Sequence, residues 1–355
     1  MSALLRIAPE LRDMILQEVL FQSPREPPTS PETSQNRTRR RYSEDAKCSD
    51  GHDIWVERTP YFAAASSSSS SRTKSSSSPS SSPISVLLVN RQLYHEAAGI
   101  LARRRLRYRL DVMYVKECGL WPTWLELPRL ARRVDEIHAT FRVFDPPSDV
   151  NPDWRNPRQL VAGDGGPPMV VWNFFALLKD YLRYGPSAFE ALVARPAPSK
   201  SEPFTVNRLV LDVLPPPPDS PAAKDDSLGF PRNRLAADRH MLDAFARGRH
   251  AKYWPLPTDA FPHLMVAEKM AFFIAAKIAG LLAMYDDYGR CLYEHVGSIE
   301  VRVAGHPRRT FDLDELMGML PPTPIQAHSP AATARKQKAF DEWKAATMAR
   351  RAAWT

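Results

Sequence analysis

The chain has 355 residues, 43% of them hydrophobic and 10% aromatic, which is enough apolar material for a sizeable core and excludes a wholly disordered chain. Forty-eight lysines and arginines against 40 aspartates and glutamates leave a formal charge of +8, modest for this length and mixed with acid throughout, which argues against a dedicated nucleic-acid binder. Three scattered cysteines, Cys48, Cys118 and Cys291, form no Cys-x-x-Cys pair, so neither a disulfide framework nor a zinc site is expected, and a reducing compartment fits.

Residues 4–21 open the chain with a short apolar entry and then a helix. Pro9 sits where a first-turn proline is tolerated, and Glu10 suits the positive end of the helix dipole. Leu11, Met14, Ile15 and Val19 recur at three-four spacing, so one face is apolar except at Glu18. A helix this short must pack on something. Arg6, Glu10, Arg12 and Asp13 stand where a secretory signal needs an apolar core, and the longest apolar run, 270–285, is short and contains Lys277. A cytoplasmic or nuclear protein without a membrane span is expected.

Residues 22–83 change composition abruptly. Pro24, Pro27, Pro28 and Pro31 are followed by the basic run Arg37-Thr38-Arg39-Arg40-Arg41 and by serine tracts at 66–71 and 75–78. Such a segment buries too little apolar surface to offset its ordering entropy, so a disordered insertion is predicted, with a small ordered patch around Ile54–Val56 and Tyr61–Phe62. The basic run has two readings, a nuclear import signal or a chance cluster in a solvated segment. The serines read either as phosphorylation sites or as passive linker.

Order is predicted again over 84–118: a helix from about Asn90 with Val89, Leu93, Ala97, Ile100 and Leu101 as its buried stripe, then an alternating strand over Leu106–Val115. Residues 119–325 form a mixed sheet–helix region. Strands are predicted at Val134–Phe144, Arg208–Leu214 and Ser298–Ala304, the second stopped by Pro215–Pro218. Helices are predicted at Met169–Tyr184, Arg234–His250 and Phe261–Tyr285. This alternation implies some parallel pairing through helical crossovers, hence an α+β fold with a mixed sheet and packed helices. Residues 326–355 carry a basic helix over Ala331–Trp354. Its Phe340, Trp343 and Trp354, flanked by Lys336, Lys338, Lys344, Arg350 and Arg351, invite either contact with nucleic acid or a membrane surface, or docking of the aromatic face on the domain.

Catalysis needs converging polar groups, and the familiar signatures are missing: no Gly-x-Ser-x-Gly, no Walker A sequence and no Gly-x-Gly-x-x-Gly occurs. Gly163–Pro168 is glycine-rich ahead of a helix but lacks the lysine and hydroxyl of a phosphate-binding loop, so it reads as a loop. The nine histidines include no His-x-x-x-His pair, and Asp286-Asp287 reads as a solvated helix end. No catalytic residue, metal ligand or cofactor is assigned, and an enzyme is not expected.

Two blocks carry a resemblance. Leu5-Arg6-Ile7-Ala8-Pro9-Glu10-Leu11-Arg12-Asp13-Met14-Ile15 looks like the Leu-x-Leu-Pro-x-Glu-Leu-Arg opening of fungal F-box-like proteins, and Leu87-Leu88-Val89-Asn90-Arg91-Gln92-Leu93-Tyr94-His95-Glu96-Ala97 looks like the block that follows it in that group. The group often carries a variable insertion between the two. Ala8 departs from the usual leucine, and Arg103-Arg104-Arg105 replaces a Tyr-x-x-Asn segment. The resemblance implies helices that present an apolar face to the adaptor Skp1, tethering the protein to a cullin ubiquitin ligase while the remainder selects a substrate that the sequence leaves unnamed. The matching positions are Leu5, Pro9, Leu11, Ile15 and Val19, three of them at the i, i+4, i+8 spacing of helix-in-groove recognition. The bland reading makes the same residues core. Glu10, Arg12, Arg91 and Glu96 read as structural, joining the two helices by a salt bridge or hydrogen bonds. The expected function is non-catalytic protein–protein interaction, with two alternatives: a nuclear, nucleic-acid-associated protein using its basic segments, or a scaffold that keeps the fold without the ubiquitin link.

Overall fold

A computed structural model describes residues 3–20, 25–34, 36–40, 54–58, 90–156, 169–186, 204–216, 266–283, 289–320 and 329–354. Within them lie seven α-helices and one eight-stranded mixed sheet, an α+β protein. The strands are β1 (Arg37–Arg40), β2 (Ile54–Glu57), β3 (Arg107–Val115), β4 (Gly119–Glu126), β5 (Arg133–Phe144), β6 (Thr205–Val213), β7 (Val296–Val303) and β8 (His306–Asp312). The helices are α1 (Pro9–Leu20), α2 (Arg91–Arg103), α3 (Met169–Tyr184), α4 (Val266–Ala283), α5 (Arg290–His295), α6 (Leu313–Met319) and α7 (Pro330–Ala352).

The sheet order is β1-β2-β4-β3-β5-β6-β7-β8. Its centre, β3-β5-β6-β7, is parallel, and antiparallel partners close it at each end. The period-two pattern of these strands sets the register. Leu110, Ala139, Leu211 and Val301 form one row across the sheet, and Val112, Phe141, Val213 and Val303 form the next. The connections β5-α3-β6 and β6-α4-α5-β7 step in the same direction, and a common crossover hand puts their helices on one face. There α3, α4 and α5 share a single apolar core with both rows. The opposite face is charged where β5, β6 and β7 meet: Arg107 pairs with Glu136 at 2.8 Å, Arg208 bridges Glu136 at 3.6 Å and also holds Glu300, and Arg302 pairs with Glu300 at 2.8 Å. The β7–β8 turn places Ala304 and Gly305 at φ 48° and 81°, the left-handed pair of a two-residue hairpin, and Asp212 accepts the Gly305 N–H at 3.0 Å.

The predicted helix Met169–Tyr184 has those bounds in the structure, and the long apolar helix is realised as Val266–Ala283, buried nearly all round. No described helix is long and apolar enough to cross a membrane. The predicted helix Arg234–His250, Gly163–Pro168, Asp286-Asp287, Tyr61–Phe62 and the serine tracts lie outside the described residues.

The span 22–83 needs a correction. Residues 25–34 and β1 belong to the fold, so the basic run is not wholly a solvated segment, while the ordered patch predicted around Ile54–Val56 is realised as β2. Arg37 is 3% exposed: Nη1 donates to Trp55 O at 2.9 Å and Pro122 O at 2.8 Å, Nε donates to Ser34 Oγ at 2.7 Å, and the guanidinium lies 5.5 Å from the Trp121 ring. Burial lowers its pKa to about 10, which leaves it charged at neutral pH and fully supplied with acceptors. Strand β4 was not anticipated either. It is buried on both faces and holds Pro122, a strand-interior proline tolerated here because β2 pairs β4 only at Ile54↔Leu120.

The C-terminal helix α7 is docked. Phe340 lies in the main core with Trp343 packed against it, and Trp343 Nε1 donates to Glu294 Oε1 at 2.7 Å. Lys344 Nζ donates to Gly318 O and Leu320 O, both at 3.0 Å, satisfying carbonyls at the end of α6. Arg351 is buried and donates to Tyr293 O and Val296 O at 2.7 Å and to Asp314 at 2.5 Å. Phe340 and Trp343 therefore pack on the protein itself, in line with the docking reading of this segment rather than an open nucleic-acid or membrane face.

Candidate functional site

The two blocks that carry the resemblance fold into one small unit. Asn90 caps α2, its side chain accepting the Gln92 N–H at 2.7 Å, and α2 then buries Leu93, Ala97, Ile100 and Leu101. From α1 come Leu16 and Leu20, with Leu5 half-buried beside them. This cluster is separate from the core under the sheet.

One ion pair fixes how the helices meet. Arg12, 6% exposed, donates from Nε to Glu96 Oε2 at 3.1 Å and from Nη2 to Glu96 Oε1 at 2.8 Å. Its Nη1 reaches back to Leu5 O at 3.3 Å and to Ile7 O. A planar guanidinium suits this fork, and one side chain thereby ties the short 3-10 turn Ala3–Arg6, α1 and α2 together. The Arg12 hydrogen bonds, helped by one from Gln92 Nε2 at 3.1 Å, hold the Glu96 carboxyl below the usual carboxylate range. The same bond to Glu96 raises Arg12, with a smaller contribution from the charge of Glu10. Arg91, the first residue of α2, is exposed.

With Leu16, Leu20 and Arg12 turned inward, the other apolar face of α1 points outward. Leu11 is 52% exposed, Met14 66% and Ile15 39%. These three lie at i, i+3 and i+4, so they form one continuous patch, bordered by exposed Glu10 and Glu18. Among the matched positions, Leu11 and Ile15 are therefore on the surface, Pro9 is exposed at the helix start, Val19 is half-buried and Leu5 belongs to the small cluster. Met14 was not singled out as a contact residue, although its spacing from Leu11 placed it on the same face. Exposed Tyr94 on α2 was also missed. Beside the patch runs an open cleft of about 420 Å³ between the helices, lined by Pro9, Asp13, His95, Gly99 and Arg103. Gly99 opens its floor, since a Cβ there would meet nothing within 4 Å.

For chemistry rather than binding, the described residues offer little convergence. They contain no group of three or more His, Cys, Asp or Glu side chains placed to hold a metal ion. His138 Nε2 stands 3.5 Å from Asp212 Oδ2, too long for a firm hydrogen bond. Burial lowers the pKa of that imidazole against the opposing pull of Asp212. No protein-family model, curated protein or solved structure matches the chain.

Proposed function

We propose that this protein is a non-catalytic interaction protein whose F-box-like helical pair binds an adaptor of the Skp1 type through the outward face of α1, leaving the sheet region to engage a substrate. The observation that carries the reading is the orientation of α1. A 12-residue helix that buries Leu16 and Leu20 leaves Leu11, Met14 and Ile15 in water, although a short helix gains most of its stability by burying its apolar residues. Contiguous exposed apolar groups at helical spacing are the anchors that helix-in-groove recognition uses. The alternative of a nucleic-acid-associated protein acting through the basic run has less support, because Arg37 is held inside the fold by Ser34, Trp55, Pro122, Thr123 and the Trp121 ring.

The test is a pull-down of the full chain with purified Skp1, beside a Leu11→Asp, Ile15→Asp double variant checked for folding by circular dichroism. The parent binds and the folded variant does not. A well-folded parent that fails to bind ends the ubiquitin-ligase reading and leaves the patch to a different partner.

A further inference from the structure

Two arginine runs that are remote in sequence lie side by side at one end of the sheet. The first, Arg103–Arg105 with Arg107, leads from α2 into β3. The second, Arg129, Arg132 and Arg133, leads from β4 into β5. Parallel pairing of β3 with β5 puts Arg107 opposite Glu136 and so brings the starts of both strands together, about 4.8 Å apart. The junction is built rather than incidental. Tyr108 OH, fully buried, donates to Arg129 O at 2.7 Å and accepts the Ala131 N–H at 3.0 Å, pinning the second run against β3. Burial raises this phenol to about pKa 12, so it stays a donor throughout the neutral range. Asp135 bonds the Leu106 N–H at 2.7 Å and Asn207 at 3.3 Å, so this carboxylate is occupied by the strand ends.

Some of these cations are already paired: Arg103 with Asp13 at 3.4 Å and Arg107 with Glu136 at 2.8 Å. Arg105 and Arg133 are exposed and have no ion-pair partner among the described residues, and Arg129 Nε is buried without a hydrogen-bond acceptor among them. In the middle of the second run Leu130 is 55% exposed.

We propose that this end of the sheet binds an anionic peptide segment, one that presents closely spaced carboxylate or phosphate groups beside an apolar side chain. Guanidinium forks match both kinds of anion bidentately. The band extends over little more than the adjoining starts of two strands, the reach of a few anionic groups on an extended segment rather than the phosphate track of a duplex. Leu130 between arginines gives a peptide's apolar side chain a contact, whereas among the described residues no exposed aromatic ring stands in the band for a base to stack on. The surface is separate from the outward face of α1, and its binding is measured without any adaptor, so either reading can fail alone.

The test is fluorescence anisotropy of the full chain with four labelled probes: a phosphoserine-leucine-phosphoserine peptide, its aspartate version, its unmodified serine version, and a single-stranded oligouridine of equal charge. One or both anionic peptides bind and the serine peptide does not; the ranking of phosphate against carboxylate names the source of the anion. In an Arg105→Gln, Arg133→Gln variant the affinity falls about tenfold or more, the effect of losing at least one charge-assisted hydrogen bond. An Arg335→Gln, Lys336→Gln variant on the exposed face of α7, with the same loss of net charge, keeps parental affinity. Three results overturn the proposal: no anionic peptide binding by the parent, equal loss in both variants, or oligouridine binding more tightly than the peptides and lost with Arg105 and Arg133.

Discussion

The helical pair α1–α2 and the sheet region both bury arginines, but α1 also leaves three adjacent large apolar side chains in water. In the sheet region arginines are taken inside, Arg37 and Arg351 each held by backbone carbonyl acceptors. In the helical pair, leucine, methionine and isoleucine are left in water while an arginine is buried between the helices. Residue type alone therefore does not decide location. A buried cation is stable where the backbone supplies enough acceptors to replace water. An exposed apolar patch carries no such compensation within the fold, which is the ground on which α1 is proposed as a contact surface.

Breaking the sheet region's arginine anchors sharpens the contrast most. Arg351→Ala removes a buried cation and leaves the Tyr293 and Val296 carbonyls without their donor, so urea denaturation should show a loss of about 3 kcal/mol. Arg351→Lys recovers only part of this, because one ammonium cannot reach all the acceptors that the guanidinium fork spans. A loss below about 1 kcal/mol would mean that α7 rests on Phe340 and Trp343 alone, the arginine being dispensable.

Next in size is Leu16→Ala, expected to cost about 2–3 kcal/mol within the helical pair. Because this cluster is separate from the main core, the loss should appear as faster hydrogen exchange in α1 and α2 while β3, β5 and β6 keep their protection. Exchange that rises equally in the sheet would show that the two regions unfold as one.

How much of this was legible in the sequence differs between the regions for physical reasons. Helix α2 was readable to its cap: Asn90 and the stripe Leu93, Ala97, Ile100 and Leu101 specify one face. Strands β3, β5, β6 and β7 show the alternation that a two-sided sheet requires. Strand β1 was not readable, because nothing in Arg37–Arg40 favours a strand; its order comes from acceptors on β4, 85 residues away. In α1 the existence of a helix was legible but not its orientation. Leu11, Ile15 and Val19 form one apolar row and Leu16 and Leu20 another, so periodicity does not say which faces inward. The pairing of Arg12 with Glu96, 84 residues apart, settles it by drawing one side of α1 onto α2. Glu10, Arg12, Arg91 and Glu96 were named as the links between the helices, yet which of them pair is a three-dimensional fact.

That ion pair is expected to make the helical unit sensitive to acid. The Glu96 carboxyl titrates below its unfolded value, so its stabilising contribution is complete above about pH 4.3 and fades as pH falls through the lower folded value. Exchange protection in α1 and α2, corrected for intrinsic rates, should therefore drop between neutral and strongly acidic pH by more than in Glu96→Gln. If parent and variant lose protection alike, the acid sensitivity belongs to other carboxylates.

The smallest expected effect on stability separates the two readings of α1. If Leu11, Met14 and Ile15 are surface groups awaiting a partner, Met14→Gln and Leu11→Ser should each change stability by no more than about 0.5 kcal/mol. The same changes in a covered core would cost several times more, since each would remove apolar contacts and introduce a buried polar group. Denaturant midpoints of both variants decide it. Unchanged midpoints keep the patch free in the isolated chain and make any loss of Skp1 binding attributable to the interface. A large drop would mean that another part of the chain already covers this face, and the helix would then be core rather than contact surface.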